Sequence, residues 1–158
     1  MSNATLQAPS AFVSHPGQGE RYLDVIRLVA GSEQTGGAFS LLEFELPPHF
    51  QGPPPHRHGQ MTETFYVVRG TLTVRLDDQA ERLSAGGCVV IEPGVLHTFS
   101  NAGAEPARFL LLATPGGHEQ FFHDLQDLIR RDGQWPPRDV AALLEIGRRN
   151  DTTYEVAG

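Results

Sequence analysis

The hydrophobic pattern changes character once along the chain, near Pro115. Between Arg21 and Pro115, apolar residues come in short runs separated by turn signals. Ala38–Leu46 places Ala38, Ser40, Leu42, Phe44 and Leu46 on one face and Phe39, Leu41, Glu43 and Glu45 on the other. That period of two is the mark of a strand. Thr62–Val68 and Thr71–Leu76 are β-branched and aromatic, and their junction at Arg69-Gly70 predicts two strands paired with each other. Asp77-Asp78-Gln79 reads as the next turn, and Cys88–Glu92 and His97–Asn101 flank a Pro93-Gly94 turn. Arg108–Ala113 carries an apolar run long enough for a buried strand. Strands at this spacing predict an all-β barrel or sandwich.

After Pro115-Gly116-Gly117 the period becomes helical. Phe121, Phe122, Leu125, Leu128 and Ile129 share a stripe, and Gly133 is a stop signal. Pro136-Pro137 separates this helix from a second, shorter one over Val140, Leu143, Leu144 and Gly147. Arg148 and Arg149 sit in its last turn, at the negative end of the helix dipole. The apolar stripes predict packing elements that cover one end of the barrel or a subunit interface. The chain thus divides into a loosely held N-terminal segment over 1–20, a β-barrel over 21–116, and C-terminal helices over 117–158 that pack on it.

Composition narrows the function classes. A chain of 158 residues with 39% hydrophobic and 20% charged residues is sized for one globular domain. Its 17 Gly and 12 Pro are rich in turns and argue against a helical bundle. A net charge of −7 and a pI near 5.4 set the chain against phosphate backbones, so no nucleic-acid partner is expected. No run approaches the roughly 18–20 apolar residues of a membrane-spanning helix, so no membrane partner is expected either. Met1–Ser10 has neither a basic start nor an apolar run, and Cys88 has no second cysteine to pair with. Both fit a protein of the reducing cytoplasm.

Two segments carry chemistry. In the first, Pro53-Pro54-Pro55 stiffens the approach to His56-Arg57-His58, whose two imidazoles point to one side of an extended chain, and Glu63 follows at the start of a strand. In the second, His97 begins a strand just after Pro93-Gly94. Three imidazoles and a carboxylate suit a divalent transition metal, whether iron, nickel, manganese, zinc or copper. Four protein ligands on a metal that accepts six leave adjacent positions open, as catalysis needs. If Glu63 points inward, so do Phe65 and Val67; if His97 does, so do Phe99 and Asn101. Phe39 and Leu41, or their alternates one residue over, would line another wall. Gln60, between ligands in sequence, could reach a bound substrate. Cys88 reads as a small buried residue, Trp135 as an anchoring contact, and His118 and His123 as surface positions on the first helix. His15 and His49 lack partners at ligand spacing, although His49 is close enough to the His56 loop for the pocket rim.

The combined spacing resembles both motifs of the cupin superfamily. His56, His58, Glu63 and Gly70 match the first, and Gly86, Gly94, His97 and Asn101 match the second. Two departures fall outside the ligand positions: Glu92 stands where a proline is expected, and Phe50 where a glycine is expected. The stretches Thr35–Glu43, Gly52–Pro55 and Thr114–Gly117 also resemble small single-domain bacterial cupins of the quercetin dioxygenase-like group. The resemblance implies a β-barrel or jelly roll, the double-stranded β-helix, with one metal per chain inside and with homodimers. It implies ligands His56, His58, Glu63 and His97, and a dioxygenase acting on a small aromatic or enolic substrate. Phe65, Val67, Phe99, Gln60 and Asn101 would face that substrate, and Glu63 would double as its base. A non-enzymatic binding or sensor cupin and a metal-dependent isomerase are the alternatives.

Overall fold

A computed structural model describes residues 11–155, so the part of the expected N-terminal segment over 1–10 lies outside the described residues. The chain runs through β1 (Arg21–Tyr22), β2 (Ile26–Ala30), a single turn α1 (Ser32–Thr35), β3 (Ser40–Leu46), β4 (His56–His58), β5 (Thr62–Arg69), β6 (Thr71–Leu76), β7 (Gln79–Ser84), β8 (Cys88–Ile91), β9 (His97–Ser100) and β10 (Ala107–Thr114). Two helices, α2 (Glu119–Asp132) and α3 (Val140–Arg149), and a last strand, β11 (Thr152–Tyr154), complete it. The strands form two antiparallel sheets, ordered β1-β2-β3-β10-β5-β8 and β11-β4-β9-β6-β7. The expected all-β, double-stranded β-helix architecture is what the chain adopts.

Strand alternation puts Ser40, Leu42, Phe44 and Leu46 of β3 inside, so the second of the two walls read from the sequence is the inner one, and Leu41 is only half-buried. Phe44, Phe65, Phe99 and Phe109 meet at centroid distances of 4.8 to 5.7 Å. Each such pair is worth about 0.5–1.5 kcal/mol beyond its buried area. The pairing of β5 with β6 is not what the structure shows. β5 lies between β10 and β8, whereas β6 lies between β9 and β7. Gly70 turns the chain from one sheet into the other at φ +74, where a Cβ would stand 2.6 Å from the Pro106 carbonyl oxygen. Side-chain composition marks both segments as strands but does not choose their partners. Cys88 is exposed rather than buried, because β8 turns it outward opposite Tyr66.

Helix α2 buries Phe121, Phe122, Leu125 and Leu128, and Gly133 ends it in a left-handed conformation, φ 70. Phe122 packs edge-on against Phe44 and is stacked 6.4 Å from Tyr22. Helix α3 is capped by Asp139, whose carboxylate accepts the Ala142 N–H at 2.9 Å. The segment 117–158 does more than pack helices on the barrel. β11 pairs with β4 in the register Thr152↔His58 and Tyr154↔His56, which adds a strand directly beside two candidate ligands. Among the described residues no helix is long and apolar enough to cross a membrane.

Candidate metal centre

Three strands bring the chemistry together. β4 is short, with His56 and His58 inside and Arg57 outside. β9 pairs antiparallel with β4 at His56↔His97. The turn before β9 is anchored on β4: Gly94, at φ +89, donates its N–H to the His58 carbonyl at 2.8 Å. β5 supplies Glu63 from the facing sheet. One ligand atom from each of His56, His58, Glu63 and His97 lies within 4.8 Å of the others, and all four residues are buried.

The outer nitrogens decide what the inner ones can do. Nδ1 of His56, His58 and His97 lies 3.0, 3.0 and 2.9 Å from the backbone oxygens of Pro54, Asp151 and Val95. A ring nitrogen facing a carbonyl must be the donor, so the protons sit on Nδ1 and the Nε2 lone pairs converge. Glu63 Oε2 lies 2.9 Å from His97 Nε2 and 3.3 Å from His58 Nε2. His58 Nε2 is buried and has no hydrogen-bond partner. Lone pairs facing a carboxylate in a desolvated space need a positive charge between them, and this donor set fits a divalent transition metal.

The titration directions agree. Burial pushes the His56 imidazole down to about 4, helped by His97 beside it. Burial opposes the Glu63 carboxylate, but the imidazoles of His118, His58 and His97 around it prevail and hold it well below the usual carboxylate range. Burial also opposes charge on His58, yet Glu63 outweighs it and raises the imidazole.

These shifts set a pH dependence for the metal-free protein. His56 takes a proton near 6.5 when unfolded and at about 4 when folded, so its contribution to stability is complete above 6.5 and fades as pH falls. Glu63, depressed, acts in the same direction below its unfolded value of about 4.5. His58, raised, contributes below about 6.5 and loses that contribution as pH rises through its folded value, so it is charged in both states below about pH 6. Between pH 6 and pH 4.5 the metal-free protein should lose on the order of 2 kcal/mol through His56. Urea titrations at the two pH values measure this, and His56→Gln should flatten the window. An equal slope in both proteins contradicts the assignment.

Behind the cluster, Asp151 holds the His58 loop. Its carboxylate accepts the N–H groups of Gly59, Gln60 and Met61 at 3.0, 2.9 and 2.9 Å, and its own carbonyl accepts from His58 Nδ1. It does so at φ +55, a conformation that Asp tolerates. Asp151→Ala should weaken metal binding roughly 10–100-fold with the circular dichroism of the folded barrel retained. Competition with a chromophoric chelator reads this, and unchanged affinity would dismiss Asp151 as a positioning residue.

His118 is not the surface residue expected above. It stands at the N-cap of α2, three and four residues before Phe121 and Phe122, so it extends the apolar stripe by one turn and faces inward with it. It is buried, with Nε2 3.2 Å from Glu63 Oε1 and its ring stacked against Phe121 at 5.7 Å.

The cluster opens into a cavity of about 370 Å³ walled by α2, Phe50, Phe99 and Leu111. Of the residues expected at the substrate, Phe99 lines this cavity. Phe65 and Val67 are fully buried in the core behind it. Gln60 is exposed and outside the lining, with its N–H held by Asp151. Asn101 is buried, but its amide group donates to the carbonyls of Pro47 and Glu105, at 3.0 and 2.8 Å, and accepts from Gly103 N–H. His49 is exposed and also outside the lining. Trp135 does line the cavity, at its half-exposed edge. Sequence reasoning missed His118, Thr152 and Tyr154 as cavity residues. The α2 stripe was the available signal for the wall, since its apolar side needed a surface to cover. β11 carried none.

Residues 42–113 match the Cupin_2 family, the cupin domain. Quercetin 2,3-dioxygenase of Bacillus subtilis (strain 168) is 29% identical over 119 residues, 73% of this chain and 35% of that protein. The chain thus spans about a third of the length of the curated relative it matches. A Klebsiella pneumoniae protein with a double-stranded β-helix domain superposes with a TM-score of 0.55 at 20% identity, over 69% of this chain and 93% of that one. The polyketide cyclase RemF from Streptomyces resistomycificus superposes with a TM-score of 0.51 at 28% identity, over 56% and 63%. The two-sheet topology, the convergence of both motif segments on one buried cluster and the match over 42–113 together identify this chain as a small cupin of type 2.

Proposed function

We propose that this cupin is a mononuclear metal-dependent dioxygenase acting on a small aromatic or enolic molecule, with His56, His58, Glu63 and His97 holding one divalent transition metal. The observation that carries the reading is the buried His/Glu cluster at the end of an apolar cavity large enough for such a molecule. The activity of the Bacillus subtilis relative supports it. When bound, the metal supplies Lewis acidity and, if redox-active, a path for electrons to dioxygen.

The protein's own residues do the rest. Glu63 Oε2 faces the imidazoles, so Oε1, beside His118, is the oxygen left to take the proton of a substrate hydroxyl. His118 keeps that oxygen in place. Phe99 and Phe121 offer ring faces to a flat body, and α2 shields the cavity from water. The test is oxygen consumption by protein loaded with iron, nickel or manganese over a panel of flavonols, catechols and diketones. Uptake that requires metal is expected. Flat traces throughout, with tight binding by calorimetry, would make this a binding protein instead. Turnover without oxygen uptake, equal with zinc, would place it with isomerases and cyclases.

We also propose a homodimer formed through the outer face of the six-stranded sheet. There Leu41, Leu112, Thr64 and Val90 lie in one cross-strand row, and Leu110, Tyr66 and Cys88 in the next. Val90 is 61% exposed and Tyr66 47%, a large apolar area for one face. β6 adds nothing to it, since its Leu72 and Val74 are buried. Light scattering at micromolar concentration should give twice the chain mass of 17.3 kDa; a monomer mass would end the proposal.

A further inference from the structure

The cavity is polar at one end only. Beyond the His/Glu cluster and His118, the polar side chains lining it among the described residues are Asp24, Thr152, Tyr154 and Trp135. Tyr154 stands at the cluster end, its ring 5.9 Å from that of His56, and the Trp135 indole N–H belongs to the exposed edge. Asp24 is exposed, at the rim. Thr152 already donates its hydroxyl to the Asn150 carbonyl at 3.1 Å. Where the body of a ligand would lie, the wall is Phe50, Phe99, Leu111, Phe122, Leu125 and Ile129. A volume of about 370 Å³ does not exclude a flavonoid-sized molecule, so size leaves the choice open and polarity decides it.

We infer that the substrate is a metal-chelating enol or phenol whose body carries no further hydroxyl groups, and that the cavity selects against polyhydroxylated flavonols such as quercetin. The inference rests on the proposed reading for the chelating head and departs from the named substrate of the Bacillus subtilis relative for the body. A hydroxyl carried into this cavity gives up its water and finds no partner on the six apolar side chains named above. An apolar pocket discriminates by up to roughly a hundredfold against one such group.

The matched probes are 3-hydroxyflavone and quercetin, which share the chelating head and differ in ring hydroxyls. Calorimetry on zinc-loaded protein should show 3-hydroxyflavone binding at least about tenfold more tightly. Quenching of Trp135, the only tryptophan and a residue of the cavity edge, gives a second readout. Quercetin binding as tightly or more tightly overturns the inference, as does failure of both to bind. Ile129→Gln puts an amide on a half-buried wall position and should narrow the ratio at least threefold, or about 0.65 kcal/mol by the tenfold-per-1.4 kcal/mol conversion. An unchanged ratio in that variant would locate the preference outside the wall and overturn it too. Selective binding without oxygen uptake in any metal form removes the dioxygenase reading and leaves the ligand class standing.

Discussion

Protein carrying His58→Ala should retain less than about a tenth of the metal held by the unaltered chain after dialysis against a mild chelator. His58 is 2% exposed, sits in the middle of the cluster and contributes the one buried inner nitrogen without a hydrogen-bond partner. Its ring is aimed by Asp151 and by the β4–β11 pairing. The variant should still fold. The Asp151 carboxylate continues to bind the Gly59, Gln60 and Met61 N–H groups, and the core built on Phe44, Phe65 and Phe109 lies elsewhere. Elemental analysis of the purified variant, with a melting curve of both metal-free proteins, separates lost ligation from lost folding. Full occupancy in a folded variant contradicts the assignment of His58.

The second large effect is at Glu63. Glu63→Gln keeps the shape of the side chain and one oxygen, so part of the metal should remain. The variant loses the group proposed to take the substrate proton, and turnover per bound metal should fall by roughly 10²–10⁴. The loss should fall on kcat more than on KM, because the apolar wall that binds the body is untouched. Turnover that tracks occupancy would reduce Glu63 to a ligand. Glu63 turns Oε2 toward His58 and His97 and leaves Oε1 beside His118 on the cavity side, and that division of its two oxygens is the structural reason to expect more than ligation.

The fold was legible in the sequence wherever a local rule applied. Alternation in Ala38–Leu46 and Thr62–Val68, the turn at Pro93-Gly94 and the stop at Gly133 all depend on neighbours in the chain. Strand partners were not legible, as Gly70 shows: a glycine that could close a hairpin instead turns the chain between sheets. The four residues of the cluster were named from spacing, because a short extended strand must place His56 and His58 on one side. Helical spacing puts His118 on the face of Phe121, Phe122 and Leu125 but shows no partner for it, and Asp151 has no such signal. Each acts on a partner far away in sequence, Glu63 for one and the loop after His58 for the other. The substrate-facing set was harder still. Period-two alternation shows that Phe65 and Val67 are inside, but not that they lie behind the cavity rather than on its wall.

The most direct test of the metal centre is X-ray absorption at the metal edge of protein loaded with one equivalent of nickel or zinc. Near-stoichiometric retention is expected, with nitrogen and oxygen donors bound to the metal and multiple scattering from three imidazole rings. A shell with one imidazole or none, or a metal that washes out of the folded protein, would contradict the assignment of the four ligands.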